Sequence, residues 1–320
     1  MTREVYAALV ALAIVIAIGP ASIKILRRMK FGQSIRSDGP ATHLKKAGTP
    51  TMGGIMILIG VFASTLIFAS GALEAAWALF ITLGFGAIGL ADDFIIVVAR
   101  RSLGLRARYK LVAQILLAGL LGLFAASRPE LGTAVRIPFL DQQVDLGPAY
   151  VVLEILVVIG ASNAVNLTDG LDGLAAGTVA IAAIAYGIVA SQRGAGDLGA
   201  FSFALAGACV GFVWFNGHPA QVIMGDTGSL ALGAALGCLA ILTKTELLLV
   251  VIGGVFVLEA LSVIIQVTYF RLTHGRRVFL MSPLHHHFEL SGWPEPKVVT
   301  RFWILGLVFS LLGMVCWSRL

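Results

Sequence analysis

Charged side chains are scarce in this chain. Asp, Glu, Lys and Arg make up 12% of its 320 residues, against about a quarter in ordinary globular proteins. Apolar residues reach 58%, more than a soluble core can bury, whereas a bilayer accepts them when the backbone is hydrogen-bonded inside helices. The apolar runs are helix-length, which argues against a β-barrel. We therefore predict an all-α integral membrane protein.

Cysteines are few, and the basic residues form no continuous face. Cys209, Cys238 and Cys316 lie inside apolar runs without metal-site spacing, so neither a disulfide framework nor a cysteine metal site is expected. The formal charge is +6, but the basic residues fall in short stretches between apolar runs, which argues against a nucleic-acid partner. The first apolar run is followed by basic residues, unlike a cleavable signal peptide, and is read as a retained span.

Ten apolar stretches approach the length that crosses a bilayer, about 17 to 25 residues. Glu154 and Glu259 fall inside two of them, where a carboxylate needs a partner or a wet cavity. The predicted spans are 4–23, 52–70, 75–98, 111–127, 149–166, 173–190, 199–215, 228–243, 247–270 and 299–317.

Lysine and arginine set the predicted orientation. Seventeen of the 23 basic residues fall in the connections after spans 1, 3 and 9, and six on the other side. Because cytoplasmic connections carry the excess of Lys and Arg, both termini are expected outside. Residues 128–148 show alternation and a Pro-bounded turn that predict a small surface hairpin. No internal repeat or appended soluble domain is found, so residues 1–320 are read as one transmembrane domain.

The acidic residues gather on the predicted cytoplasmic side. Asp92 and Asp93 end span 3 in GLADDF, Asp169 and Asp172 follow span 5 in NAVNLTDGLDG, and Asp226 precedes span 8 in MGDTGSL. Adjacent aspartates at a membrane boundary are best tolerated where a divalent cation neutralises them, and Mg²⁺ prefers carboxylate oxygens, water and phosphate. Alternatively, a single aspartate here caps a helix, as Asp226 or Ser229 would do for span 8.

Polar and basic residues accompany these carboxylates. HLKKAGTPTMGG supplies Lys46 and Thr51, and Lys110 opens span 4. SPLHHHFE supplies His285, His286 and His287; consecutive side chains diverge, so phosphate contacts or a structural role are favoured over zinc binding. The Gly-rich turns that open helices here offer free amides to phosphate.

These motifs, in this order and over nearly the whole chain, resemble the phospho-N-acetylmuramoyl-pentapeptide transferase family of the bacterial cytoplasmic (inner) membrane. Its motifs appear as GTPTMGG, ADDF, NAVNLTDGLDGLA, FNGHPAQVIMGDTGSLALG and SPLHHHFE. The resemblance implies Mg²⁺-dependent transfer from UDP-N-acetylmuramoyl-pentapeptide to undecaprenyl phosphate, giving lipid I and UMP. Phosphoryl transfer needs metal and cations to spread charge on the transferring group. Membrane lipids surround such an enzyme, and its short external faces are compatible with a homodimer.

The resemblance also assigns roles to individual residues. It implies that Asp92, Asp93 and Asp226 are catalytic, with Asp226 and Asp93 as metal ligands and Asp92 engaging the lipid phosphate. Further positions match those around the nucleoside, the phosphates and the sugar. They are Lys46, Thr51, Lys110, Asn166, Asp169, Asp172, Asn216, His285, His286 and His287, with Asn163 a weaker candidate.

Two alternatives stay open. A sister polyprenyl-phosphate N-acetylglucosamine-1-phosphate transferase differs in its donor. A transporter would place its ionisable residues near the bilayer midplane rather than at one interface. Ile223 stands where many members of the resembled family have an aromatic residue that can stack on uracil; an aliphatic side chain there can still cover a base face, without aromatic stacking. Two reaction routes stay open: direct attack by the lipid phosphate, or transfer through a covalent phospho-aspartate. No motif in the sequence reads the third residue of the donor peptide.

Overall fold

The chain is mostly helical. The computed structural model describes residues 2–29, 48–98, 104–140 and 142–318, and Lys46 lies outside these ranges. The helices are α1 (Thr2–Arg28), α2 (Gly54–Phe68), α3 (Leu73–Val98), α4 (Ala107–Ser127), α5 (Ala149–Thr168), α6 (Leu174–Gln192), α7 (Gly196–Asn216), α8 (Gly225–Leu242), α9 (Leu248–Ile252), α10 (Gly254–Leu272), α11 (Leu284–Leu290) and α12 (Glu295–Trp317).

The helices confirm an all-α, multi-pass membrane protein. Within the described ranges, nine helices are long and apolar enough to cross a bilayer, and α2, with 15 residues, is a shorter apolar helix. The predicted span 247–270 is divided at Gly253 into α9 and α10. Gly254 packs directly against the ring of Phe309, where a β-carbon would lie 2.6 Å away, so α10 starts in close contact with α12.

Helices α6, α7 and α8 form the interior of the bundle. Within an 18-residue apolar stretch of each helix, 89% of the residues are buried inside the protein in α8, against 28% in α1, α4 and α10. Small residues allow this close packing: a β-carbon on Gly233 of α8 would lie 2.4 Å from the carbonyl oxygen of Ala161 on α5. Similarly, a β-carbon on Gly207 of α7 would lie 2.0 Å from the carbonyl oxygen of Ala8 on α1.

The predicted surface hairpin is confirmed. Strands β1 (Ala134–Ile137) and β2 (Gln142–Asp145) pair antiparallel, with Val135 opposite Val144. The predicted alternation included Phe139, which lies two residues past the end of β1, in the turn, with a positive φ of 73° and 67% exposure. The Lys244 ammonium donates to the carbonyl oxygen of Gly132 (3.3 Å) and fastens the hairpin to the bundle.

The charged residues at the two ends of the bundle have different surroundings. At the end that starts α5, Glu154 is fully buried beside Glu246, whose carboxylate accepts a hydrogen bond from Tyr150 (2.6 Å) and contacts Lys244 (3.1 Å). Asp197 ties Arg3 to the chain segment that joins α2 and α3. These ionic groups connect helices to one another. The other end, where α5 finishes and α8 begins, holds the ADDF and GDTGS motifs.

We predict that Gly207→Ala lowers the free energy of unfolding by about 1–3 kcal/mol, because the added methyl overpacks the contact between α7 and α1. The matched control is Gly160→Ala on α5, where a β-carbon meets nothing within 4 Å. This control is expected to be neutral or slightly stabilising. Thermal unfolding in detergent compares the two, and equal stability of both variants would contradict the packing assignment.

Candidate active site

Helix α8 receives its N-terminal cap from another helix. The carboxylate of Asp93, on α3, accepts the N–H groups of Asp226 (3.1 Å) and Thr227 (2.9 Å) and the Thr227 hydroxyl (2.7 Å). Met224, which precedes the helix, makes no side-chain cap. The buried Asp93 carboxylate also lies at the positive end of the helix dipole, which favours its charge. Capping of α8 thus belongs to Asp93, not to the alternatives Asp226 or Ser229 that the sequence had offered.

Gly225 makes this contact sterically possible. Its φ is +75°, a conformation that side chains rarely adopt, and a β-carbon would lie 2.6 Å from Oδ2 of Asp93. The glycine of GDTGS therefore lets α3 approach the first turn of α8.

The Asp226 side chain is free of the cap and faces a different set of partners. One oxygen forms an ion pair with Lys110 of α4, and the other accepts the Asn166 amide of α5 (2.8 Å). The same amide reaches the hydroxyl of Ser229 (2.8 Å). Asp226 keeps 25% of its side chain exposed and Lys110 18%, so both groups are accessible to a ligand.

Asp92 completes a carboxylate cluster. It is 6% exposed, and its Oδ1 accepts the N–H of Leu105 (2.9 Å). Its carboxylate lies close enough to Asp226 for the two charges to repel, and Lys110 partly offsets this repulsion. We call Asp92, Asp93, Asp226, Lys110 and Asn166 the carboxylate cluster.

The charge of the carboxylate cluster fits a divalent cation. Among the described residues, the cluster contains three carboxylates and one ammonium group, so the ionised cluster retains excess negative charge. Asp92 and Asp226 offer hard oxygen ligands, and Asp226 is partly open to solvent, as a Mg²⁺ ion with water and phosphate ligands requires.

The GTPTMGG segment lies beside the start of α8. The N–H of Ile223 donates to the Pro50 carbonyl oxygen (2.8 Å), and the N–H of Gly53 donates back to the Ile223 carbonyl oxygen (2.9 Å). Thr51 is 8% exposed, and its hydroxyl lies 2.9 Å from where a β-carbon on Gly225 would be. This pairing brings Thr51 next to the carboxylate cluster. Lys46 falls in a segment that the structure does not describe.

Asp172 and Asn216 lie in a second polar group. Oδ2 of Asp172 accepts the N–H of Ala220 (3.0 Å) and contacts Nδ1 of His218 (3.2 Å), while Glu295 accepts the N–H of Asp172 (2.7 Å). Asn216 bridges two segments. Its oxygen accepts the Gly173 N–H (2.9 Å), and its amide donates to the Val222 carbonyl oxygen (2.8 Å).

Asp172, His218 and Glu295 are also close enough to share a metal ion, since their ligand atoms lie within 4.8 Å of one another. An imidazole nitrogen suits Mg²⁺ less well than the all-oxygen set around Asp226. The carboxylate cluster is therefore the better fit to magnesium.

The three histidines face three separate partners. Nδ1 of His285 contacts the Glu259 carboxylate (3.1 Å), and Nδ1 of His286 contacts Glu289 (2.8 Å). Nδ1 of His287 accepts the Leu280 N–H (3.2 Å). Because the partners diverge, this arrangement does not favour one zinc ion held by the triplet. His285 is fully buried, whereas the other two are partly exposed.

The structure divides the predicted site residues into neighbouring groups. Asp169 caps the C-terminal end of α5. It lies three residues after Asn166 and three before Asp172, so along the chain it falls between the carboxylate cluster and the second polar group. Asn163 instead bonds Gln114 and the Ile159 carbonyl oxygen, away from Asp226.

Sequence reasoning missed the contributions of Thr227, His218 and Glu295. Thr227 and His218 lie inside the quoted motifs, but nothing in the sequence indicates which acceptors they meet. The signal for Glu295 is weak: a carboxylate between two prolines, just before an apolar run. Its contact with Asp172 joins positions 123 residues apart.

Comparison with known proteins adds a family match. A model described as Glycosyl transferase family 4 matches residues 75–244, and one described as Phospho-N-acetylmuramoyl-pentapeptide-transferase signature 1 matches residues 46–58. Three similar proteins carry the name phospho-N-acetylmuramoyl-pentapeptide-transferase. The protein of Geobacillus sp. (strain WCH70) is 53% identical over 97% of this chain and 96% of its own length. That of Anoxybacillus flavithermus is 54% identical (95% and 94%), and that of Desulfatibacillum aliphaticivorans 52% (98% and 92%).

We predict that Thr227→Val lowers the free energy of unfolding by about 1.5–3 kcal/mol, because it removes a hydrogen bond to a buried carboxylate. Thr273→Val is the matched control, since the exposed Thr273 hydroxyl bonds only backbone carbonyls near the end of its own helix. Its expected effect is within about 0.5 kcal/mol. Thermal unfolding of both variants measures the difference, and no loss for Thr227→Val would argue against the cap assignment.

Proposed function

Because the chain belongs to the phospho-N-acetylmuramoyl-pentapeptide transferase family, its activity is the transfer that forms lipid I, and we propose that the carboxylate cluster carries it out. The donor is UDP-N-acetylmuramoyl-pentapeptide, the acceptor is undecaprenyl phosphate, and UMP is released. The reaction takes place at the cytoplasmic face of the bacterial inner membrane. The convergence of Asp92, Asp226 and Lys110 at the start of α8 is the observation that carries this proposal.

Asp226 is the proposed magnesium ligand. It is the most accessible carboxylate of the three, and its side chain takes no part in capping α8. When bound, Mg²⁺ supplies positive charge for the diphosphate of the donor. Asp93, the second ligand suggested by the resemblance, already directs both oxygens to α8, so its part is to hold Asp226 in place.

Asp92 is the proposed group that engages or deprotonates the lipid phosphate. Oδ1 accepts the Leu105 N–H, and the carboxylate also contacts Asp226, so a phosphate engaged by Asp92 would lie beside the proposed metal ligand. In the described part of the chain, Lys110 carries the ammonium group that lies near both carboxylates, and we assign it to the phosphates of the two substrates.

A groove on the bundle surface supports a lipid acceptor. It has a volume of about 350 Å³ and is lined almost entirely by apolar residues of α5, α8, α9 and α10. Val165 forms part of its wall, and the next residue, Asn166, contacts Asp226. We propose that the isoprenoid chain lies in this groove with its phosphate directed towards the carboxylate cluster.

Asp172 and Asn216 belong to the proposed nucleoside end of the site. Asn216 fixes the turn before α6 against the 217–224 loop, and Ile223 of that loop is half-buried beside Thr51 and Gly225. An aliphatic side chain at 223 covers a base face without aromatic stacking.

Magnesium-dependent release of UMP tests the proposal. We expect purified protein to release UMP only with both substrates and Mg²⁺, and Asp226→Asn to reduce the rate at least a hundredfold. The variant should remain folded, since α8 is capped by Asp93 and not by Asp226. A preference for UDP-N-acetylglucosamine as donor would favour the sister transferase, and full activity of Asp226→Asn would exclude the assigned metal ligand.

Two asparagines on α5 provide a matched pair. We expect Asn166→Ala to lower the rate about tenfold or more, because a hydrogen bond to a charged carboxylate contributes about 1.5–3 kcal/mol. Asn163→Ala, one turn earlier, should retain most of the rate. Steady-state UMP release compares them, and equal losses in both variants would show that Asn166 does not act through Asp226.

A further inference from the structure

A buried acid–imidazole pair lies outside the carboxylate cluster. Glu259 of α10 and His285 of α11 are both fully buried. Oε1 of Glu259 lies 3.1 Å from Nδ1 of His285, and Oε2 accepts the N–H of Leu284 (2.7 Å). One carboxylate therefore holds both the first backbone amide of α11 and the ring that follows it.

The pair fixes which nitrogen of His285 is free. The backbone N–H of Leu284 can only donate, so Glu259 acts as an acceptor towards it, and its other oxygen can receive a proton from Nδ1. A carboxylate partner of this kind sets both the tautomer and the orientation of an imidazole ring. Nε2 is then the nitrogen available to a ligand.

Nε2 of His285 approaches the turn of the TDGLDG motif. A β-carbon on Gly170 would lie 2.2 Å from Nε2, so only glycine permits this approach. Nε2 is buried and has no hydrogen-bond partner among the described residues. Gly170 lies between Asp169 and Asp172, so an unpaired nitrogen faces the segment that joins the two polar groups of the site.

The same carboxylate also connects this turn to the lipid groove. Ala260 and Leu261, which follow Glu259 on α10, line the groove. We propose that Glu259 is a positioning residue: it holds Nδ1–H of His285 so that the acceptor nitrogen Nε2 is directed at the 169–172 turn, which supports the donor side of the site. It also keeps α10, the wall of the acceptor groove, in register with that turn. This inference rests on the proposed function.

Glu259→Gln tests the proposal. Glutamine keeps the size and can still accept the Leu284 N–H, but its amide then faces Nδ1 and favours the opposite tautomer. We expect kcat for UMP release to fall ten- to a hundredfold, with KM for the donor within about threefold. The matched control is Glu154→Gln on α5, another fully buried glutamate about 18 Å from Asn166 along the helix. It should keep kcat within twofold.

A second readout does not depend on turnover. Nitrogen NMR of ¹⁵N-histidine-labelled protein, with the His285 signal assigned by its loss in His285→Asn, reports the tautomer at alkaline pH. We expect Nδ1 to carry the proton in the unaltered protein and Nε2 to carry it in Glu259→Gln. Nε2 protonation in the unaltered protein, or an unchanged kcat in Glu259→Gln, would overturn the proposal. Absence of UMP release from the unaltered protein would instead contradict the proposed function, and the tautomer would still be measurable.

Discussion

The first turn of α8 needs hydrogen-bond acceptors, and the buried carboxylate of Asp93 supplies them. Helix α8 is the most enclosed of the described spans and Thr227 in its first turn is fully buried, and each unpaired buried amide costs about 1–3 kcal/mol. Because Asp93 meets this requirement, the Asp226 side chain can turn away from its own helix towards Lys110 and Asn166. Two adjacent aspartates thus have different partners: Asp93 caps α8, and Asp92 accepts the Leu105 N–H and lies beside Asp226.

The site lies where the apolar interior of the bundle gives way to polar groups. On α5, Val165 faces an apolar groove and Asn166 faces a carboxylate. A lipid with a phosphate head has this same division, and a soluble donor needs only the open, charged side. Although the chain has few charged residues, Asp226 and residues of α3 and α4 bring three carboxylates and one ammonium group together at the start of α8.

Much of this arrangement follows from sequence. Helix-length apolar runs, the hairpin and the membrane class depend on local composition, so they are predictable. The break in span 247–270 was not predicted. Gly254, at the start of α10, packs against Phe309, which lies far away in the chain, and local composition does not reveal such a contact. The motifs indicated Asp92, Asp93 and Asp226 together. The division of labour between them could not be predicted, since the acceptor for the Thr227 amide is 134 residues away. The sequence singled out Glu259, because a carboxylate inside a membrane span needs a partner, but it did not identify His285 as that partner.

The hairpin formed by β1 and β2 has a practical consequence. All four residues of β2 are exposed, the turn residue Phe139 is largely exposed, and the hairpin is fastened near its base by Lys244. Exposed loop tips of this kind tolerate inserted sequence better than helix connections that are held in place by ion pairs between side chains. A short affinity tag or fluorophore acceptor peptide placed at the tip of the hairpin would label the face opposite the carboxylate cluster. It would thus give a handle for immobilising the protein with its site unobstructed.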